Sequence, residues 1–571
     1  MENLQVETAN AVEPEMFCLG LKALGECLYN PLDPPIYFSL GALISSGALF
    51  FVLIQIVGPI HRFRFAVNIS ASQKILGVFL IVVAILGVFL ATIVPLLSGA
   101  GAYPVLGYPV FWETLSAFLF VFLICYTVRI VFKPVKFTSG NAVKYLNATI
   151  SFLAKADGKA LEKLAEEIYP SIKNVVNEAT NYDYFKALQA KEDGKTYEVS
   201  KATKAAITVL DVWSDKMFCK SIVCQFPQSA VEILGCLSKK LHHRAGYSLC
   251  SEIIQQSFEN QNSILNREDS YSGLGFFKQF KIQCFGDWEF VNSSYRPLDQ
   301  LSFYDSDLKE WQIRQYCECF EIAFKSYVES KGWSYFPYSL KQASDNIFRM
   351  AMTQITKIEH IPKDELYGSQ NQKILTVICE GVGKSINHVV EGPDYPVDAY
   401  DEDSYDFLKD YSVFGTVAHG LYELCEAFSF SKGHNHFIRS QFLRVWHVVF
   451  GVQSSQMSKN QNEIGKRLLF HINKNVDENL DRKAKWGSPI TKLLLSLDGL
   501  SNPPESDKRV YAEFYRSFLE ILREKFPILY REDPKFAMSL LPESIEYDGH
   551  ANKLVQKKFR GRSIELILNN N

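Results

Sequence analysis

The 571-residue chain has twelve cysteines and no Cys-x-x-Cys pair among them. Cys317 and Cys319 stand nearest each other, and no Cys/His spacing of a structural zinc site accompanies them. A disulfide framework and a zinc module are therefore excluded, and the scatter fits buried thiols in a reducing compartment. Strong charge of one sign is missing too. Lys and Arg total 60 against 63 Asp and Glu, a net charge of −3, which excludes a global basic field for genomic nucleic acid. The N-terminus has no basic region: residues 1–35 hold six acids and Lys22 alone. The first apolar run begins only at residue 36, which argues against a cleavable signal peptide. No repeat of fixed period is sustained, so a solenoid has no sequence support.

Catalytic motifs are equally scarce. Gly381-Val-Gly-Lys384-Ser385 resembles the end of a phosphate-binding loop, but Ile378 stands where its first glycine belongs. Without that glycine the backbone does not open easily into a phosphate nest, so the match is read as false. His434-Asn-His436, with His447, is read as a surface turn before a helix, the alternative being a small His cluster. Residues 394–410 carry seven acids against Lys409. The stretch lacks the glycine turn of a calcium loop and reads as an exposed acidic linker.

Charge is absent where it says most. Residues 36–60 and 75–97 contain no charged side chain, and residues 110–128 contain only Glu113. A helix rises about 1.5 Å per residue, so about 20 residues cross a hydrocarbon core of about 30 Å. The expectation is a mainly α protein: an N-terminal segment of three transmembrane helices, over about 36–60, 75–97 and 110–132, then a large α-helical cytoplasmic domain. Arg62, Arg64 and Lys74 follow the first run, and Arg129, Lys133, Lys136 and Lys144 follow the third. The loop at 98–109 is uncharged. An excess of Lys and Arg marks cytoplasmic loops, which puts the N-terminus outside and the bulk of the chain in the cytoplasm.

The runs carry packing signals. ILGVFL at 75–80 recurs at 85–90, which sets Gly77 and Gly87 within about a quarter-turn of each other. Gly41 and Ser45 form a small-x-x-x-small pair. Such faces let helices approach closely, either between copies of a homo-oligomer or inside one protomer. Glu113, with Thr114 and Ser116 behind it, is the pore candidate: in a symmetric oligomer it forms an acidic ring at the outer mouth. Trp112 beside it favours the plainer alternative of headgroup depth.

Beyond the runs the apolar period is helical. The expected layout is an extracytoplasmic segment at 1–35, the membrane region at 36–133, a helical region at 134–390 with an irregular insert near 262–301, and a second helical region at 391–571 with a basic tail. Basic residues gather at 239–244, at Lys466, Arg467, Lys474, Arg482, Lys483 and Lys485 with Trp486, and at 553–562. The middle group mixes charge with aromatic rings, as a site for a phosphorylated or oligonucleotide ligand does. Solvated helix faces and contacts with lipid headgroups are the plainer alternatives. No cofactor and no metal site is expected.

This layout resembles that of bacterial anti-phage membrane effectors, and among them the Hailong-system membrane effector family. The resemblance implies a homotetrameric ion channel held shut by a short single-stranded oligodeoxyadenylate, which a partner nucleotidyltransferase makes. Two other classes share the layout: a membrane-tethered nuclease or hydrolase using acids of residues 394–410, and an adaptor subunit of an envelope complex.

Overall fold

A computed structural model describes residues 41–42, 44–45, 47–48, 58–97, 109–241, 243–270, 279–300, 308–330, 336–393, 412–430, 436–451, 457–480, 490–507, 509–557 and 563–569. The fold is mainly helical and divides into two compact units. The first comprises Met1–Asn181 and Glu198–Val212, the second Tyr182–Tyr197 and Trp213–Asn571.

In the first unit, helix α1 (Pro59–Asn68) starts with proline at its first turn, where the missing N–H costs nothing. Its apolar side chains Ile60, Phe63 and Val67 are buried and recur at helical spacing. Ser70 then opens α2 (Ala71–Leu97). Its hydroxyl accepts from the Gln73 N–H at 3.2 Å, and the Gln73 carboxamide accepts from the Ser70 N–H at 2.8 Å. This reciprocal cap satisfies two N-terminal donors of an otherwise featureless apolar helix. Helix α3 (Pro109–Phe132) returns against α2. Three shorter helices follow: α4 (Ala142–Leu153), α5 (Gly158–Glu167), capped by Asp157 on the Ala160 N–H at 2.8 Å, and α6 (Ile172–Ala179). Helix α1 packs on α3, α4 and α5, with Phe63 edge-on to Tyr145 and Phe152.

Helices α2 and α3 are long and apolar enough to cross a membrane. Buried residues make up only 22% of the most apolar part of α2 and 11% of that of α3, unlike a core helix, which is mostly buried. Ile75, Val78, Phe79, Val82, Leu86, Phe89 and Ile93 are exposed along α2, and Phe118, Val121, Phe122 and Val128 along α3. Of the first run, residues 41, 42, 44, 45, 47 and 48 are helical, Gly58 is not, and Pro59 and Ile60 open α1; the rest lies outside the described residues.

The second unit includes the helix Tyr184–Glu192 and, from Trp213 on, α7 (Lys216–Gln225), α8 (Pro227–Ser238), α9 (Tyr247–Glu259) and α10 (Gln279–Phe285). Longer helices follow: α11 (Glu310–Glu329), α12 (Tyr338–Glu359), α13 (Gln370–Val390), α14 (Val413–Phe430), α15 (His436–Phe450) and α16 (Lys459–Leu480). Next come α17 (Ile490–Asp498) and α18 (Val510–Glu532), and a short helix, Pro534–Ser539, follows them. Alternate helices stack: α13 lies between α11 and α15, and α14 between α12 and α16, which in turn meets α18. Helices α13 and α14, on either side of the expected division near residue 390, both fall in the second unit.

Two other expectations change. The region read as an irregular insert contains short helices, Ile264–Ser270, α10 and Trp288–Val291, with Phe280, Phe285, Phe290, Tyr295 and Leu298 buried. Gly286 and these aromatics pack closely, and residues 271–278 lie outside the described residues. The region read as a basic tail is an antiparallel meander, β1 (Ile545–Asp548), β2 (Lys553–Gln556) and β3 (Ile564–Ile567). Val555 stands opposite Glu546 and Glu565, and Leu554 opposite Tyr547 and Leu566. Lys553 pairs with Glu565 at 3.1 Å and Lys557 with Glu546 at 2.7 Å, so cross-strand acids neutralise two of the tail's cations.

One close approach decides the α12–α14 packing. A Cβ built on Gly420 would overlap the Phe348 ring. Gly420→Ala is expected to lower stability by about 1–3 kcal/mol through overpacking, read as a lower unfolding midpoint of the detergent-purified protein, with Phe348→Leu in the same chain recovering part of the loss.

Candidate functional site

The apolar hairpin of α2 and α3 and the place where the chain leaves it form the candidate site. The hairpin is antiparallel: a Cβ on Gly77 would stand 3.9 Å from Leu123, whereas one on Gly87 would collide with the Ser116 hydroxyl and lie 3.4 Å from the Trp112 carbonyl. Ser116 is fully buried at this crossing and donates to the Trp112 carbonyl at 2.8 Å. Gly77 and Gly87 thus both face α3 of the same chain. Glu113 is half-buried and Thr114 exposed in the first turns of α3. Gly41 and Ser45 are exposed helical positions.

The polar end of the hairpin is tied by side chains that sequence reading credited only with topology. The last carbonyls of a helix lack intrahelical partners. Here Arg64 Nη1 donates to the Phe132 carbonyl at 3.1 Å, and Asn68 Nδ2 donates to the Ile130 and Lys133 carbonyls at 3.3 and 3.2 Å. One turn apart on α1, Arg64 and Asn68 cap α3 from outside.

Arg64 also holds Glu167 at the end of α5, with Nε donating to Oε1 at 3.0 Å and Nη2 to Oε2 at 2.5 Å. This fork-on-fork pairing is the strongest geometry for the two groups. Glu167 is only 5% exposed and accepts a third bond, from the Val135 N–H at 2.9 Å. The extended segment after α3 is anchored further along the same face. The Ser171 hydroxyl accepts from the Phe137 N–H at 3.0 Å and donates to the Val135 carbonyl at 3.1 Å. Asn174 donates to the Phe137 carbonyl at 3.0 Å. Side chains at 167, 171 and 174 thus replace a β-partner for a segment whose Val135 and Phe137 are buried. Tyr145 lies edge-on to Phe63 and Phe137, and burial pushes its phenol far above the usual range.

The basic group proposed for ligand binding is divided. Lys466 and Lys474 are exposed on α16. Arg467 is buried, 2.9 Å from Glu463 one turn earlier, and its guanidinium lies 5.4 Å from the centre of the Phe414 ring. It is committed to the core. Arg482, Lys483, Lys485 and Trp486 lie outside the described residues, as do residues 394–410 and His434. Glycine at 381 sits within α13, where its Cβ would lie 2.8 Å from that of Cys317. The phosphate-loop resemblance is therefore a helix–helix contact.

Sequence reading also missed Lys281. Its side chain is fully buried and its ammonium lies 2.7 Å from Glu318. Glu268, itself buried, accepts from the Phe280 and Lys281 N–H groups at 2.7 and 3.2 Å, capping α10. Burial pushes the Cys317 and Cys379 thiols up to about 12, which keeps them protonated and unreactive. No group of three or more metal-ligating side chains occurs among the described residues. Comparison with protein-family models, curated proteins and solved structures finds no match.

Two outcomes test this geometry. Arg64→Ala strands a buried carboxylate and is expected to cost about 3 kcal/mol, read as a lower unfolding midpoint. Arg64→Met with Glu167→Leu should be less damaging than Arg64→Ala alone, a non-additive cycle. Gly87→Val should force α2 from α3. A cysteine pair at Gly77 and Leu123 that crosslinks efficiently in the parent should then crosslink poorly.

Proposed function

We propose that this chain is an oligomeric membrane effector. Its apolar helices line an ion channel or pore, and its large helical region senses a ligand and sets the open probability. In this reading residues 36–60 add a third transmembrane helix, the N-terminus faces outward, and the ends rich in Lys and Arg face the cytoplasm of a bacterial inner membrane. The assembly is a homotetramer, the setting is anti-phage defence, and the ligand is a short single-stranded oligonucleotide from a partner nucleotidyltransferase.

The observation that carries the reading is the tie between hairpin and soluble helices. Arg64 bonds both the Phe132 carbonyl at the hairpin's end and Glu167 on α5. A displacement of α5 therefore pulls on the α3 exit and on α1, which leads into α2. A ligand shifts such an equilibrium only by its differential affinity for the two states, so the oligonucleotide must bind the closed arrangement more tightly. With Ser116 occupied at the helix crossing, Glu113 and Thr114 remain as side chains for an outer mouth, where a ring of carboxylates favours cations.

Planar-bilayer recording of the detergent-purified protein tests this, with and without short oligodeoxyadenylate. Discrete currents that the oligonucleotide suppresses are expected. Glu113→Gln should lower cation selectivity while the oligomer, measured by size-exclusion light scattering, persists. Silence from a folded oligomer across the ligand set overturns the channel. Unchanged selectivity in Glu113→Gln removes that residue from the conduction path.

A further inference from the structure

Beside the clamp, α1 and α4 enclose an open cleft of about 560 Å³, within the span of small-molecule sites, about 300–1,000 Å³. Its walls follow from two helical faces. From α1 come Arg62, Phe63 and their neighbours one turn away, and from α4 Lys144, Ala148 and Phe152. Lys155, just beyond α4, completes the rim. Phe63 and Phe152 meet edge-on at 5.9 Å and supply an apolar base. Three cations thus surround the cleft, and no acid is among the described residues that line it. Lys144 donates one bond to the Ile69 carbonyl at 3.2 Å, and an ammonium carries three donors.

The position along the chain is as informative as the charge. Helix α1 follows the first apolar run and ends two residues before α2, whose exposed apolar side chains begin at Ile75. The cleft therefore lies at the polar boundary of the hairpin. An amphiphile there places a negative headgroup among cations and its acyl chains beside exposed apolar helix, with no part of it mismatched. A soluble anion uses only the charges and leaves the aromatic base unused.

We propose that this cleft binds the phosphate-bearing headgroup of an anionic phospholipid, held by Arg62, Lys144 and Lys155 over Phe63 and Phe152. The assignment rests on the membrane reading above. It ties α1, and through Arg64 the hairpin exit, to one leaflet, so the lipid restrains the element that the proposed gate moves.

The test uses full-length protein in detergent. Phosphatidylglycerol, phosphatidylcholine and inorganic phosphate are titrated separately, and bound lipid is counted by native mass spectrometry. Phosphatidylglycerol should bind, phosphatidylcholine should not, and phosphate should not displace the lipid. Near an anionic surface each Lys or Arg contributes on the order of a fivefold gain in affinity, so Arg62→Gln, Lys144→Gln and Lys155→Gln together should weaken binding roughly one hundredfold. Ala148→Trp, which keeps every charge and fills the cleft, should also abolish it. A control triple at exposed positions, Lys204→Gln, Lys373→Gln and Lys535→Gln, changes net charge equally and should leave binding intact. Unimpaired binding in either cleft variant overturns the site, as does an equal loss in the control. Displacement by phosphate reassigns the cleft to a free anion. Carbonate extraction of the cell membranes separates the two levels. A chain released by carbonate overturns the membrane reading itself, whereas one that stays in the membrane and ignores phosphatidylglycerol overturns only the lipid site.

Discussion

A carboxylate with almost no access to water organises the first unit. Glu167 accepts two bonds from Arg64 and one from the Val135 N–H, and each partner belongs to a different stretch of chain. Ion pairs at exposed surfaces are worth little. This one is different because desolvation makes the loss of either partner costly. The pairing therefore specifies an arrangement more than it supplies net stability. It sets the angle at which α1 meets the α3 exit and positions the segment whose polar groups Ser171 and Asn174 then satisfy.

The hairpin is held by a different logic along its length. Its helices have little polar chemistry to specify a partner, so shape decides: the missing side chain at Gly87 admits Ser116, whose hydroxyl is already satisfied within its own helix. Small residues at this depth bring backbones together without leaving a donor unpaired. The outward faces remain bulky and apolar. Directional bonding fixes the hairpin at one end, and shape fixes it along the shaft.

The parts of this architecture legible in the amino-acid sequence are those whose signal is local. Runs without charge are visible one residue at a time, and the repeat that places Gly77 beside Gly87 identifies a helix face. Periodicity does not say what that face meets, and α3 of the same chain meets it. Arg64 looked like one more cation in a loop, because its partner lies 103 positions away. The polar series Glu167, Ser171 and Asn174 along an apolar stretch was the available clue. Arg467 was counted as a ligand candidate although Glu463 stands one helical turn before it, a spacing that already suggests an internal pair. The meander was hidden for a related reason. Its strands have four residues each, too short for alternation to stand out, and its Lys–Glu pairs exist only across strands.

The separation between Arg64 and Glu167 also has a meaning in time. Chains are synthesised at about 5–20 residues per second, so roughly 5–20 s pass between the two residues. Both helices of the hairpin are complete before Glu167 is made. Pairing of α2 with α3 and closure of the ion pair are therefore successive events in biosynthesis, with the carboxylate arriving as a latch. Until it does, Arg64 has the Phe132 carbonyl but not Glu167 to bind, and the angle between α1 and the α3 exit is not yet fixed.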